Sequence, residues 1–267
     1  DQIVFPMEAE ISAAFKRLIV KSPKVAFLIG HGERDVNNVG DRDYYSFANN
    51  QTFRYALINQ GFDVMAFDLS AGGDIPADVD ILVIADMKTP YTAEEQQKIE
   101  RYIAQGKNLI IAGEPGRQPV MNPLVEPLGV QFMPGKLVQP TKDFDEELIQ
   151  CNLTKEAAEM SYAYANLLKK KKKITMPGAV GLSYEQNRGF SVIPVLTTAD
   201  TGCWNELGVQ QAYPTALALS RQVGAKEQRI IILGDADCIS NAELMMFRKG
   251  IDASNYSLIT ESFRWLT

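Results

Sequence analysis

Four short, uninterrupted apolar runs constrain this chain more than any other feature. They are Val25–Ile29, Ile81–Ala85, Leu109–Ala112 and the Ile-Ile-Ile-Leu of Arg229–Leu233. A strand with one wet face alternates apolar and polar residues; an unbroken run fits a strand buried on both faces of a parallel sheet. Phe62–Leu69 adds a further strand. The first run leads into Gly30-His31-Gly32-Glu33, where the glycines permit a sharp turn around the only histidine of the protein.

Between the runs the spacing changes to a helical period. Glu8–Val20 places Ile11, Phe15, Leu18 and Ile19 on one face. Tyr44–Gln60 places Phe47, Tyr55, Leu57 and Ile58 inward, with Gly61 as its stop. Thr92 is an N-cap, Glu94 and Glu95 occupy the first turn, and that helix runs to about Gln105 before Gly106. Alternation of strand and helix predicts an α/β fold with a doubly wound, mostly parallel sheet.

The rhythm breaks after Gly113-Glu-Pro-Gly116. Pro119–Leu128 reads as a short helix leading to Val130–Phe132. Residues 134–188 are irregular, with a helix expected over Thr154–Lys173 and a strand over Ala179–Tyr184. We read 1–133 as the first part of the α/β domain, 134–188 as an insertion or subdomain, and 189–267 as the second part. In Phe190–Thr198, Pro194 marks an edge or a bulge. Asn241–Lys249 and Tyr256–Leu266 read as closing helices.

Composition narrows the function. The 267 residues are 46% hydrophobic, enough for a core, and the net charge of −6 argues against nucleic acid. No apolar run reaches the roughly 18–20 residues of a membrane span. The abrupt ends suggest a piece of a longer protein. Cys151, Cys203 and Cys238 include no Cys-x-x-Cys pair, so a zinc site is not indicated; ordinary buried thiols are expected, and a Cys151–Cys203 disulfide stays open. The P-loop pattern, a full dinucleotide fingerprint and a nucleophile elbow are all missing, and no cofactor is expected.

What remains is a set of polar residues just past strands, where open parallel sheets bind ligands. His31 and Glu33 follow the first strand, Glu114 the fourth, and Asp235 and Asp237 the late one. These are candidate ligand-binding positions. Imidazole and carboxylates together suit a divalent cation, with His31, Asp235 and Asp237 as metal candidates. The same residues equally suit turns and helix caps. Trp204 offers a stacking face for a sugar or a packing anchor. The five lysines Lys169–Lys173 suit phospholipid headgroups, an acidic partner or a solvated helix end.

Taken in order, several segments resemble the soluble domain of gliding-motility-type ABC transporter auxiliary proteins. They are Gly30-His-Gly-Glu33, Ile75-Pro-Ala-Asp-Val-Asp-Ile-Leu-Val-Ile84, Thr92-Ala-Glu-Glu, Gly106-Lys-Asn-Leu-Ile-Ile111, Pro194-Val-Leu-Thr-Thr198 with Trp204 and Glu206, and Arg229 to Asp237 with Ser240-Asn241. The resemblance covers roughly residues 8–130 and 189–266. It implies a flavodoxin-like or class I glutamine-amidotransferase-like sheet without the amidotransferase cysteine. It also implies a non-catalytic extracytoplasmic sensor or scaffold on the periplasmic side, tethered to the cytoplasmic membrane by segments outside this chain. The implied partners are an ABC-2-type permease and a separate ATP-binding subunit. The rival expectation, from the strand-end residues, is a metal-assisted hydrolase of an envelope glycan or peptide.

Overall fold

The computed structural model describes residue 11, residues 21–186 and residues 188–267. The helix expected over Glu8–Val20 lies, apart from Ile11, outside them. The strands are β1 (Lys24–Ile29), β2 (Asp63–Asp68), β3 (Ile81–Ala85), β4 (Asn108–Ala112), β5 (Val130–Phe132), β6 (Leu137–Val138), β7 (Leu148–Leu153), β8 (Lys173–Pro177), β9 (Leu182–Tyr184), β10 (Ser191–Thr197), β11 (Trp204–Asn205), β12 (Pro214–Val223) and β13 (Lys226–Leu233). The α-helices are α1 (Tyr45–Ala48), α2 (Ala93–Ala104), α3 (Gln118–Val125), α4 (Lys155–Met160), α5 (Tyr162–Lys169), α6 (Asn241–Met245) and α7 (Asn255–Trp265).

Nine strands form one sheet in the order β2-β1-β3-β4-β13-β12-β10-β7-β8. The pairings from β2 to β13 are parallel and those from β13 to β8 antiparallel, so the sheet is mixed. Residues 134–188, read from sequence as an insertion, contribute β7 and β8 to its far edge. Pro194 marks a bulge: the β10–β12 register shifts between Pro194 and Leu196, in a strand paired on both sides.

The apolar runs are unbroken because both faces of the parallel half are covered. Val25, Phe27, Val83, Ile110 and Ile231 pack on one face with α1 and α7, where Phe263 lies among Phe27, Phe47 and Phe62 at ring-centroid distances of 6.4, 6.2 and 5.9 Å. Ala26, Leu28, Leu82, Ile84, Leu109, Ile111, Ile230 and Ile232 pack on the other with Ile99 and Tyr102 of α2 and Met121 of α3. Each such large side chain contributes about 1.5–3 kcal/mol by leaving water.

Two expected helices are interrupted. Tyr44–Gln60 keeps only α1 and a 3₁₀ turn at Leu57–Gln60, with Tyr55 exposed. In between, Asn59 Nδ2 donates to the carbonyls of Asn50, Gln51 and Phe53, and Asn50 Oδ1 accepts from the Thr52 amide and hydroxyl. Such side-chain bonds compete with the helical ladder. Thr154–Lys173 breaks at Ser161, extended at φ −156° and ψ 153°, whose hydroxyl caps α5 through the Tyr164 amide. The three cysteines are buried free thiols; Cys151 accepts from the Thr215 hydroxyl at 3.1 Å.

Candidate functional site

The sheet brings the carboxyl ends of β1, β3, β4 and β13 side by side, and every polar residue noted after those strands lies along that edge. Two clusters form there. The first sits where the strand order reverses, between β1 and β3. His31 Nδ1 lies 3.2 Å from the Thr89 hydroxyl, and Nε2 lies 3.2 Å from Glu95 Oε1. An ionised carboxylate only accepts, so Nε2 carries the proton and Nδ1 is left to the Thr89 hydroxyl. Glu33 accepts from the His31 amide at 2.6 Å and from the Tyr91 hydroxyl at 2.7 Å, and Tyr91 stands edge-on to the imidazole at 4.7 Å.

Local chemistry holds this arrangement. Glu95 is also the third residue of the capping box that starts α2, accepting from the Thr92 amide at 2.7 Å. Burial alone would raise its carboxyl; the Thr92 bonds and His31 outweigh that and hold it below the usual range. Burial, with Glu33 alongside, pushes the Tyr91 hydroxyl well up, so it stays a donor. Gly30, at φ +113°, has no room for a side chain against Asp68.

The second cluster joins the ends of β4 and β13. Glu114, Asp235 and Asp237 each present an oxygen within 4.8 Å of the others. Arg34 Nη2 reaches Glu114 Oε1 at 3.1 Å and Asp237 Oδ1 at 2.9 Å, and its Nη1 donates to the Arg42 carbonyl at 2.6 Å. Arg34 Nε lies 3.0 Å from Asp86 Oδ2 but is poorly aligned for a hydrogen bond. Arg42 Nη2 reaches Asp237 Oδ2 at 2.8 Å and Glu114 Oε2 at 3.2 Å, and Arg117 Nε donates to Asp86 Oδ1 at 2.8 Å. Asp86 adopts φ +51°, a left-handed conformation that Asp tolerates better than most residues.

Four carboxyls therefore face three guanidiniums and the Lys88 ammonium, whose Nζ lies 3.9 Å from Asp86 Oδ2. Among the described residues, Asp235 is the one of these carboxyls that no cation pairs with. It is fully buried; Oδ1 accepts from the Asp237 amide at 2.7 Å, and Oδ2 has no hydrogen-bond partner among the described residues. Burial, then the charges of Glu114 and Asp237, push its carboxyl well up. Glu114 accepts from the amides of Ala236 and Asp237 at 3.2 and 3.1 Å, yet burial pushes it up to about 7, with Asp237 adding to the rise and Arg34 opposing it. Gly234 lets this turn form: a side chain there would collide with the Val180 carbonyl.

The structure thus brings together Glu114, Asp235 and Asp237. His31 and Glu33 belong to the other cluster, and both imidazole nitrogens are engaged there. His31, paired with Asp235 and Asp237 as a metal candidate by its strand-end position, does not join them. Trp204 pairs with Val138 in the β6–β11 ribbon and, among the described residues, takes part in neither cluster. Arg34, Arg42, Asp86 and Arg117 were not anticipated. Asp86 follows β3 as Glu114 follows β4, so the strand-end rule that found the others applies to it equally; no local signal marks the arginines.

Comparison with known proteins adds the family. A profile described as an ABC-type uncharacterized transport system matches residues 22–202, well over half of the chain. No curated protein matches the sequence significantly. Among solved structures, the mmIFT52 N-terminal domain superposes with a TM-score of 0.62 at 15% identity, covering 91% of this chain and 96% of that one. A thua-like protein from Parabacteroides merdae gives 0.47 at 11% identity, with coverages of 89% and 99%. An exo-β-1,4-mannosidase from an Opitutaceae bacterium gives 0.43 at 13%, covering 96% of this chain but 37% of that one. At such identities the first shows a shared fold alone. The match over residues 22–202 does more: the chain belongs to the ABC-type uncharacterized transport system family, as an auxiliary component of such a system.

Proposed function

We propose that this chain is a non-catalytic, extracytoplasmic domain of its transport system, one that senses or scaffolds and does not turn over a substrate. The observation that carries this reading is the engagement of Glu114 and Asp237 by two guanidiniums. Carboxylates that activate water or hold a catalytic cation need an open face, and Arg34 and Arg42 cover these. The strand order β2-β1-β3-β4-β13 is that of flavodoxin-like sheets, which supports placing a ligand crevice at the β1/β3 reversal, beside His31, Thr89 and Tyr91.

A ligand or envelope partner docked there biases the transporter only through unequal affinity for its two states. In this reading the partners are an ABC-2-type permease and a separate ATP-binding subunit, in a gliding-motility-type system with the chain on the periplasmic side. The test is reconstitution of the full-length protein with the permease and ATPase encoded beside it. A complex whose ATPase rate changes with Tyr91→Phe, and an isolated chain inert toward glycans and peptides, support the proposal. Absence of any complex overturns it.

A second reading, metal-assisted hydrolysis, draws on the grouping of Glu114, Asp235 and Asp237 and on the unpartnered Asp235 Oδ2. Cation-dependent turnover that Asp235→Asn abolishes would establish it in place of the first.

A further inference from the structure

The chain carries a net charge of −6, yet one part of its surface is basic and apolar together. Met245, Met246 and Phe247 follow one another at the end of α6 with exposures of 73%, 50% and 85%. They are held out by an ordered base. Arg248 forks onto the buried Glu243 at 2.6 and 2.8 Å, Thr175 donates to the same carboxylate, and the chain turns back with the Ile251 amide on the Arg248 carbonyl.

The returning strand of this loop lies against the lysine run. Lys172 Nζ pairs with Asp252 at 2.5 Å, the Lys173 amide donates to the Asp252 carbonyl, and the Ser254 amide donates to the Lys173 carbonyl. Both acids of the loop, Glu243 and Asp252, are thereby neutralised. Lys169, Lys170, Lys171 and Lys249 are exposed and, among the described residues, form no ion pair. Lys171 sits at φ +54°, where the chain turns from α5 into β8.

We propose that this surface docks on an anionic phospholipid bilayer, with Phe247 and its two methionines entering the headgroup region and the lysines meeting lipid phosphates. Exposed apolar side chains on a loop bonded to a lysine run have the composition of interfacial anchors, and the lysines carry the charge opposite to that of the lipid. A second acidic copy of this chain would supply the charge but no fluid apolar layer for three exposed side chains. The inference does not depend on whether a ligand binds beside His31.

The test is co-sedimentation of the 267-residue chain with vesicles of phosphatidylcholine alone or with about one-third phosphatidylglycerol. Binding is expected to the anionic vesicles only and to fall steeply with salt. Each of Lys169→Gln, Lys170→Gln and Lys171→Gln should weaken it about five-fold. Phe247→Ser should weaken it further with no change in thermal stability, because the ring is exposed. Phe247→Trp gives a second readout: emission that brominated lipid quenches only with anionic vesicles. No binding, equal binding to neutral vesicles, or binding indifferent to these variants overturns the proposal. So does co-purification of the permease that Phe247→Ser abolishes while vesicle binding is absent; that result assigns the patch to a protein.

Discussion

Arg34 and Glu114 meet across 80 residues of sequence, Nη2 to Oε1 at 3.1 Å, with side chains 3% and 7% exposed. Arg34 also faces Asp86 and Asp237, so it is the buried cation on which three carboxylates depend. Removing one partner of a buried pair leaves an uncompensated charge, typically at a cost of about 3–5 kcal/mol. Arg34→Ala should lower the unfolding free energy by about that amount in urea titration. A loss below about 1 kcal/mol would mean that the acids re-protonate and absorb the change.

Asp235 gives a pH dependence with a definite sign. Glu114, ordinarily near 4.5, is pushed up to about 7, and Asp235 is raised as well. Between those limits the folded chain keeps protons that the unfolded chain releases. The unfolded state therefore binds fewer protons, and this contribution to stability falls as pH rises from about 4.5 toward 7. Asp235→Asn mimics the protonated form and removes one such group. Its stability relative to the parent should be near zero below about pH 4, where an ordinary aspartate is protonated, and grow as pH rises above that, by at most about 1.4 kcal/mol per unit. Denaturant titrations of both chains across that range decide it; a flat difference would mean that Asp235 is ionised in the fold.

What could be read from the sequence follows from how local each cause is. β1, β3, β4 and the end of β13 were legible because a sheet covered on both faces leaves unbroken apolar runs. The α2 cap was legible because Thr92 and Glu95 are three residues apart. The pairing of Arg34 and Arg42 with Glu114 and Asp237 was not, because those contacts span 72 to 203 positions and ion pairs impose no sequence period. Strand-end position marked both His31 and Asp235 as polar residues on one edge. It gave no way to see that β3 lies between them, so that His31 turns to Glu95 and Asp235 to Glu114.

Gly234 sets the position of the Asp235 turn. Its amide donates to the Thr215 carbonyl at 2.8 Å and its carbonyl accepts from Val180 at 2.9 Å, bringing backbone so close that a methyl group meets the Val180 carbonyl. Both neighbours are backbone and cannot swing aside. Gly234→Ala should therefore cost about 3 kcal/mol, at the upper end for overpacking. Gly72→Ala is the comparison: it replaces a glycine at φ +93° that, unlike Gly234, has open space around it, and should cost only the conformational strain of about 1 kcal/mol. Equal losses in the two variants would mean that the backbone at Gly234 yields.

Arg42 differs from Arg34 in being 58% exposed while still spanning Asp237 and Glu114. Its removal uncovers Asp237 Oδ2 and Glu114 Oε2 beside the unpartnered Asp235 Oδ2, leaving an all-oxygen, negatively charged set of the kind that suits Mg²⁺, Ca²⁺ or Mn²⁺. In the parent chain a cation would have to displace a guanidinium already paired. Millimolar Mn²⁺ should therefore leave the parent's thermal stability unchanged and raise that of Arg42→Ala. At 100 times the dissociation constant the gain is about 2.7 kcal/mol. Adding Asp235→Asn to Arg42→Ala should remove most of the response, which separates binding at these oxygens from general screening. A shift of equal size in the parent would mean that Arg42 swings away from the carboxylates, and would restore these three residues as a metal centre.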